Sequence, residues 1–205
     1  MAGPRSGGDR NRHAPRRHPV LRCVVISLLT LIILTGLIVL IFWLIVRPMP
    51  IDYTVDGASI RGFNLSSTNS LDATFDLTLR ADNRNRRVSV YYDWIDVGVW
   101  YDDEMVALSE LSPFYQPKRN VTRLETKPTA VAVSLPASAA KGLKHDRSAG
   151  EVEVEVRVRG RVRFKVGLVK TRHYDLNAYC SPVIIRFSSS TSFDRVYCDV
   201  DFDAD

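Results

Sequence analysis

Residues 151–166 read EVEVEVRVRGRVRFKV, and their alternation decides the fold. Val152, Val154, Val156, Val158, Gly160, Val162, Phe164 and Val166 fall on one parity, while Glu151, Glu153, Glu155, Arg157, Arg159, Arg161, Arg163 and Lys165 fall on the other. Successive side chains of a strand point to opposite faces, so this segment has one valine-rich face to bury and one charged face to leave in water. At about 3.3 Å per residue, sixteen residues would span roughly 53 Å, more than a usual strand. Gly160 is therefore expected to mark a bend or bulge that divides it.

The same period of two runs through the segments on either side. Ile51, Tyr53 and Val55 alternate with polar residues, and so do Leu71, Ala73, Phe75, Leu77 and Leu79. Residues 81–85 (ADNRN) suit a polar turn. Val88, Val90, Tyr92 and Trp94 share one parity; the apolar set then flips to Ile95, Val97, Val99 and Tyr101. A one-residue slip moves side chains to the opposite face, which predicts a β-bulge near Trp94. Further strands are predicted over 104–109, 119–126, 129–135, 172–180 and 194–202, with a short helical turn within 137–147. Many alternating strands and no sustained amphipathic helix predict an all-β fold, an antiparallel β-sandwich.

Ahead of this domain, residues 23–46 run for 24 positions without a charge. A helix rises about 1.5 Å per residue, so the run crosses a hydrocarbon core of about 30 Å with some tilt. A cleaved signal peptide is the competing reading, but its apolar core would be about 7–15 residues long. The chain thus divides into a basic tail (1–22), a transmembrane α-helix (23–46) and an outer domain (47–205). Six arginines precede the helix and only Arg47 closely follows it, which predicts a cytosolic N-terminus and puts residues 47–205 outside the cell or in a lumen. Phe42 and Trp43 suit the outer interface. The tail cannot bury a core; its arginines either attract anionic lipid of the inner leaflet or only fix topology. Cys23 lies at the cytosolic edge, open to S-acylation or an ordinary anchor residue.

The net charge of +5 belongs wholly to the tail, where six arginines stand against Asp9; the remainder carries 22 basic and 22 acidic residues. A balanced outer domain is no nucleic-acid-binding domain. The ladder Arg157, Arg159, Arg161, Arg163 and Lys165 has two readings: a solvated face partly neutralised within the domain, or a surface for an acidic partner. Asp199, Asp201, Asp203 and Asp205 are the expected cross-strand neutralising set. Asp199, Asp201 and Asp203 also invite a calcium reading, against the plainer one of a wet strand face.

The outer domain has only His145 and His173, in no metal-ligand spacing, and it lacks a nucleophile elbow and a P-loop. No catalysis and no cofactor are expected. Cys180 and Cys198 both lie on the apolar parity of their strands, on the side of the membrane where disulfides persist. A Cys180–Cys198 bond is the expectation; two buried free thiols are the other reading. Asn64-Leu65-Ser66 and Asn120-Val121-Thr122 are N-glycan acceptor triplets, with Asn120 in the more polar setting.

Several motifs resemble one family. Residues 160–167 (GRVRFKVG) resemble the late strand signature of the late embryogenesis abundant group 2 domain. Residues 112–116 (SPFYQ) followed by 120–122 (NVT), together with 47–50 (RPMP), are similar to its plant membrane-bound branch, the non-race-specific disease resistance and harpin-induced-like proteins. So are Tyr179-Cys180 and residues 197–201 (YCDVD). One departure stands out: Asn83-Arg84-Asn85 has no proline where the branch carries Asn-Pro-Asn. The resemblance implies a fibronectin type III-like sandwich on a single-pass, often plasma-membrane protein; with the arginine asymmetry this makes the C-terminal domain extracellular. It implies an interaction or scaffold role in plant defence or stress responses, with protein partners. A lipid-binding or cell-wall adhesion domain is the alternative.

Overall fold

A computed structural model describes residues 3, 19–46, 49–187 and 193–204. The chain divides into two units, residues 1–47 and 48–205. In the first, α1 (Pro19–Val46) runs for 28 residues, about 42 Å. Leu21–Ile41 is long and apolar enough to cross a membrane. Its Thr30 and Thr35 hydroxyls donate to the carbonyls of Ile26 and Leu31 one turn earlier, so neither is left unpaired on an apolar helix. The helix begins ahead of the apolar run because proline is tolerated in a first turn. Cys23 is a free, exposed cysteine. The tail arginines Arg5, Arg10, Arg12, Arg16 and Arg17, the segment Arg47–Pro48, and the side chains of Phe42 and Trp43 lie outside the described residues.

The second unit opens with the long strands β1 (Asp52–Leu65), β2 (Ser70–Asn83) and β3 (Val88–Tyr101). Shorter ones follow: β4 (Glu104–Leu111), β5 (Phe114–Gln116), β6 (Asn120–Thr126) and β7 (Thr129–Ser134). After α2 (Ala137–Ala149) come β8 (Glu151–Val166), β9 (Val169–Lys170), β10 (Tyr174–Arg186), β11 (Val196–Tyr197) and β12 (Asp199–Ala204). Every pairing is antiparallel, in the order β11-β1-β2-β7-β4-β3-β8-β10-β12, with β5 on β3, β6 on β2 and β9 on β8. This one sheet folds over into a sandwich. The hydroxyls of Tyr53 in β1 and Tyr92 in β3 meet at 2.6 Å, although three strands separate β1 from β3 in the sheet order. Gln116 of β5 likewise donates to the Ala81 carbonyl of β2 at 2.9 Å.

β8 lies in the middle of one layer, between β3 and β10. Its valines at 152, 154, 156, 158 and 162 are buried in a single core with Val97, Val99, Leu176 and Ile185. Gly160 does not divide the strand, which runs unbroken through all sixteen residues. The irregularity sits in the neighbour: β3 is bulged between Tyr92 and Trp94, opposite Arg161 and Val162. The bulge brings the Trp94 carbonyl so near that a Cβ on Gly160 would stand 2.7 Å from it. The glycine serves close approach of backbone, not a bend.

Three other elements differ from the sequence expectation. The helical turn is a full helix of 13 residues, ended by Gly150 at φ 90°, whose N–H donates to the carbonyls of Asp146 and Arg147. It buries Ala139, Ala140 and Leu143 over one end of the sandwich. β10 continues past residue 180: a register shift between Cys180 and Val183, at Pro182, keeps Cys180, Val183 and Ile185 all inward. The strand expected over 194–202 is cut in two at Cys198. β11 pairs with β1 and β12 with β10, so the last segment passes from one layer to the other. At the crossing the Cys198 N–H donates to the Tyr53 carbonyl of β1, and its sulfur is bonded to Cys180 of β10.

Two expectations follow for unfolding experiments. Gly160→Ala should lower stability by about 1–3 kcal/mol, because backbone rather than a flexible side chain must yield. An unchanged denaturation midpoint would show that the β3 bulge gives way freely. Cys180→Ser opens a bond between residues 18 apart and should remove about 3 kcal/mol. A melting temperature insensitive to both this change and reductant would show that the seam is held by packing alone.

Candidate functional site

The charged face of β8 forms a layer of side chains shared with β3 and β10. Arg163 grips Asp93 of β3 through both nitrogens of its fork, with Nε at 2.7 Å from Oδ2. That contact holds the Asp93 carboxyl below the usual range. His173 stands 3.6 Å from the same carboxylate. Arg161 donates to Asp175 of β10 at 3.2 Å, and Arg159 lies 3.4 Å from Asp96 of β3. Arg157 pairs with Glu155 of its own strand and stacks its guanidinium 4.1 Å from the centre of the Trp100 ring. Trp100 fits there because it lies over Gly98, where a Cβ would stand 3.1 Å from the indole nitrogen. Lys165 faces Ser89 and Lys170 in the register and has no carboxylate partner among the described residues.

The neutralising carboxylates therefore come from β3, β10 and β8 itself, not from the C-terminal aspartates. Asp199, Asp201 and Asp203 lie on β12, which pairs with β10 and never with β8; Asp205 lies outside the described residues. Parity alone could not show this, because it says which face a residue occupies and not which strand lies alongside. Among the described residues no three His, Cys, Asp or Glu side chains are grouped to hold a metal.

Asp96 is the exception within this layer. It is buried, its Oδ1 has no hydrogen-bond partner, and burial pushes its carboxyl up despite Arg159.

A second constellation lies where the sequence predicts only a polar turn. Asn83 and Asn85 are buried. Asn85 accepts the Met49 N–H and donates to the Met49 carbonyl, both at 2.8 Å, so it clamps the segment by which the chain enters the domain. Asn83 donates to the carbonyls of Val88 and Pro117, and its Oδ1 accepts the Asn85 N–H. Arg84, in the place of the absent proline, pairs with Asp52 at 3.1 Å and Asp82 at 3.5 Å. The turn is thus fixed by side chains where a proline would fix it by its ring. Below it, Tyr53, Tyr92 and Gln116 form a buried hydrogen-bonded chain. Burial raises both tyrosines above the ordinary phenol range. The signal for that chain was present: both tyrosines lie on the apolar parity.

Of the two glycan acceptors, Asn64 is exposed on β1, opposite Asp72. Asn120 opens β6 half-buried, its Oδ1 accepting from Thr122 at 3.1 Å.

The ladder yields a graded expectation. Arg161→Gln removes one half-exposed ion pair and should cost less than about 1 kcal/mol. Arg157→Gln removes a pair and a stack on Trp100 and should cost more, by about 0.5–1 kcal/mol. Equal midpoints in urea would show that the stack adds nothing.

Comparison with known proteins bears on the whole chain. Residues 78–180 match the sequence model of a family described as late embryogenesis abundant protein. NDR1/HIN1-like protein 3 of Arabidopsis thaliana is 36% identical over 85% of this chain and 78% of its own length. NDR1/HIN1-like protein 10 of the same plant is 34% identical over 88% and 85%. An Arabidopsis thaliana protein of known solution structure aligns over 73% of this chain and 91% of its own, at 11% identity and a TM-score of 0.35. The fold is read from the strand pairing, not from that likeness. By the matched core and the identity of these relatives over most of their length, the chain belongs to the late embryogenesis abundant family, among its NDR1/HIN1-like members.

Proposed function

We propose that the apolar helix spans the plasma membrane once, leaves the arginine tail in the cytosol, and holds the sandwich outside the cell. There the domain works as a non-catalytic interaction component in plant defence or stress responses. One observation carries the reading. The alignment with NDR1/HIN1-like protein 3 covers 85% of this chain, more than residues 48–205 contain, so the match runs from the apolar helix into the domain. The six arginines ahead of the uncharged run 23–46 support the orientation. The Cys180–Cys198 bond fits an oxidising compartment. The arginine ladder, with four of its five cations held by carboxylates, supports a solvated face rather than an acidic-partner site. Partners are therefore to be sought on other surfaces.

In intact cells, a C-terminal tag should be cleaved by external protease while an N-terminal tag survives. Asn120→Gln should remove one glycan, read as the mobility shift that glycosidase produces, with Asn64→Gln as the companion variant. A protected C-terminal tag on an unglycosylated chain would reverse the orientation. Photo-crosslinking of the full chain in plant membranes then tests the interaction role. Recovery of specific proteins linked to the sandwich supports it, and recovery of lipid or wall polymer alone overturns it.

A further inference from the structure

The end of the sandwich at which the chain enters carries a surface that the ladder does not explain. Met49, three residues beyond the end of α1 in sequence, is clamped there by Asn85. The β8–β9 hairpin lies at the same end, because Val88 pairs with Val166 and Ser89 with Lys165. The hairpin turns at Gly167 (φ 59°) and Leu168, with Val166 paired to Val169. Gly167 takes the positive φ that the first position of a type II′ turn demands. Leu168 is 100% exposed and Val169 69%. The tip is held in shape from below: the Phe164 N–H donates to the Thr171 hydroxyl at 3.0 Å, and the Thr171 N–H donates to the Phe164 carbonyl at 2.9 Å.

Around this apolar tip the charges are cationic and unpaired. Arg86 and Arg87 project from the loop before β3, Lys118 and Arg119 from the turn before β6, and Lys170 and Arg172 from the hairpin; all six are exposed. The Arg119 N–H bonds to the Asn85 carbonyl, which ties the second group to the first. None of the six has a carboxylate within 4 Å among the described residues. Lys170 lies 4.3 Å from the centre of the Tyr91 ring and adds a weak pull on the Asp93 carboxyl that Arg163 holds, and Arg172 lies 6.0 Å from the centre of the Tyr174 ring. The acids at this end are already engaged or stand aside: Asp52 and Asp82 by Arg84, Asp93 by Arg163, and Asp203 on β12 beyond β10.

We infer that this end of the domain is a docking surface for anionic headgroups in the lipid leaflet on the domain's own side of the membrane, with Leu168 and Val169 entering the headgroup–acyl boundary and the cationic rim binding headgroup phosphates. An apolar wedge inside a collar of lysine and arginine is the chemistry that holds a peripheral element at such an interface. Leu168 and Val169, even with the half-exposed Met49, make too small a patch for a stable protein interface, which buries about 800 Å² on each partner. The hairpin is also preformed, so docking orders little chain. The inference rests on the anchored reading, since the chain arrives at this end from the apolar helix.

The test uses the full chain with Cys23→Ser and Leu168→Cys, labelled with a polarity-sensitive dye and reconstituted in phosphatidylcholine vesicles with or without phosphatidylserine. A second labelled chain carries Ser138→Cys on α2, at the far end of β8. The Leu168 probe should shift to the blue and be quenched by nitroxide lipids in the anionic vesicles. It should do so less after Arg86→Gln with Arg87→Gln, and less at high salt. The Ser138 probe should stay in water. A Leu168 probe that remains in water in chains resisting carbonate extraction overturns the docking and spares the anchor; chains that carbonate extracts overturn both. Equal shifts of the two probes, or a shift of the Leu168 probe only on adding a soluble protein, also overturn it.

Discussion

Burying the valine face of β8 is the constraint on which the rest of the domain depends. Five buried valines on one face, along a strand of roughly 53 Å, need cover over their whole length. No single short strand supplies it. β3 and β10, both long, flank β8, and the opposing layer of β1 and β2 completes the core. Because the strand cannot be interrupted without opening that core, irregularity moves to its neighbours. The bulge of β3 at Tyr92/Trp94 and the shift of β10 at Cys180/Val183 each keep an inward parity that a regular ladder would lose. Gly160 follows from the first of these, as the residue that lets the bulged backbone come close.

Closure of the sandwich depends on two small devices at the same end. One is the crossing at Cys198, where a single residue bonds to the backbone of one layer and to the cysteine of the other. The other is the buried polar chain Tyr53–Tyr92–Gln116, which joins the layers through hydrogen bonds inside an apolar core. A buried polar group without a partner is costly, so a fully paired chain selects one alignment of the layers over its neighbours. Asn83 and Asn85 extend this logic to the entry segment. An NDR1/HIN1-like chain thus fixes the point at which its domain begins.

The two charged surfaces of the domain differ in kind. On the β8 ladder the arginines meet carboxylates of adjacent strands, and the face is closed electrostatically upon itself. At the entry end Arg86, Arg87, Lys118, Arg119 and Arg172 sit in turns and Lys170 on the short β9; Arg84 takes the nearby Asp52 and Asp82, and the remaining cations surround an exposed apolar tip. Net charge conceals this contrast, because the outer residues sum to neutral. It is at the entry end, not on the longest run of arginines, that unspent attraction for anions remains.

What the sequence by itself determined is whatever depends on local periodicity. The uncharged run of 23–46 made a helix, the alternation made strands, and the parity flip at Trp94 made a bulge, because each is a property of a few consecutive side chains. Even the inward facing of Cys180 was legible. Tertiary structure alone decided which strands lie side by side. That choice gave Arg159 to Asp96 and Arg161 to Asp175 rather than to the C-terminal aspartates. It split the last strand at Cys198 between two layers, and it turned Asn83 and Asn85 from a polar turn into a buried clamp. The physical reason is the same throughout: periodicity fixes the face a residue occupies, while pairing across the sheet depends on contacts between segments far apart in sequence, which no local pattern encodes.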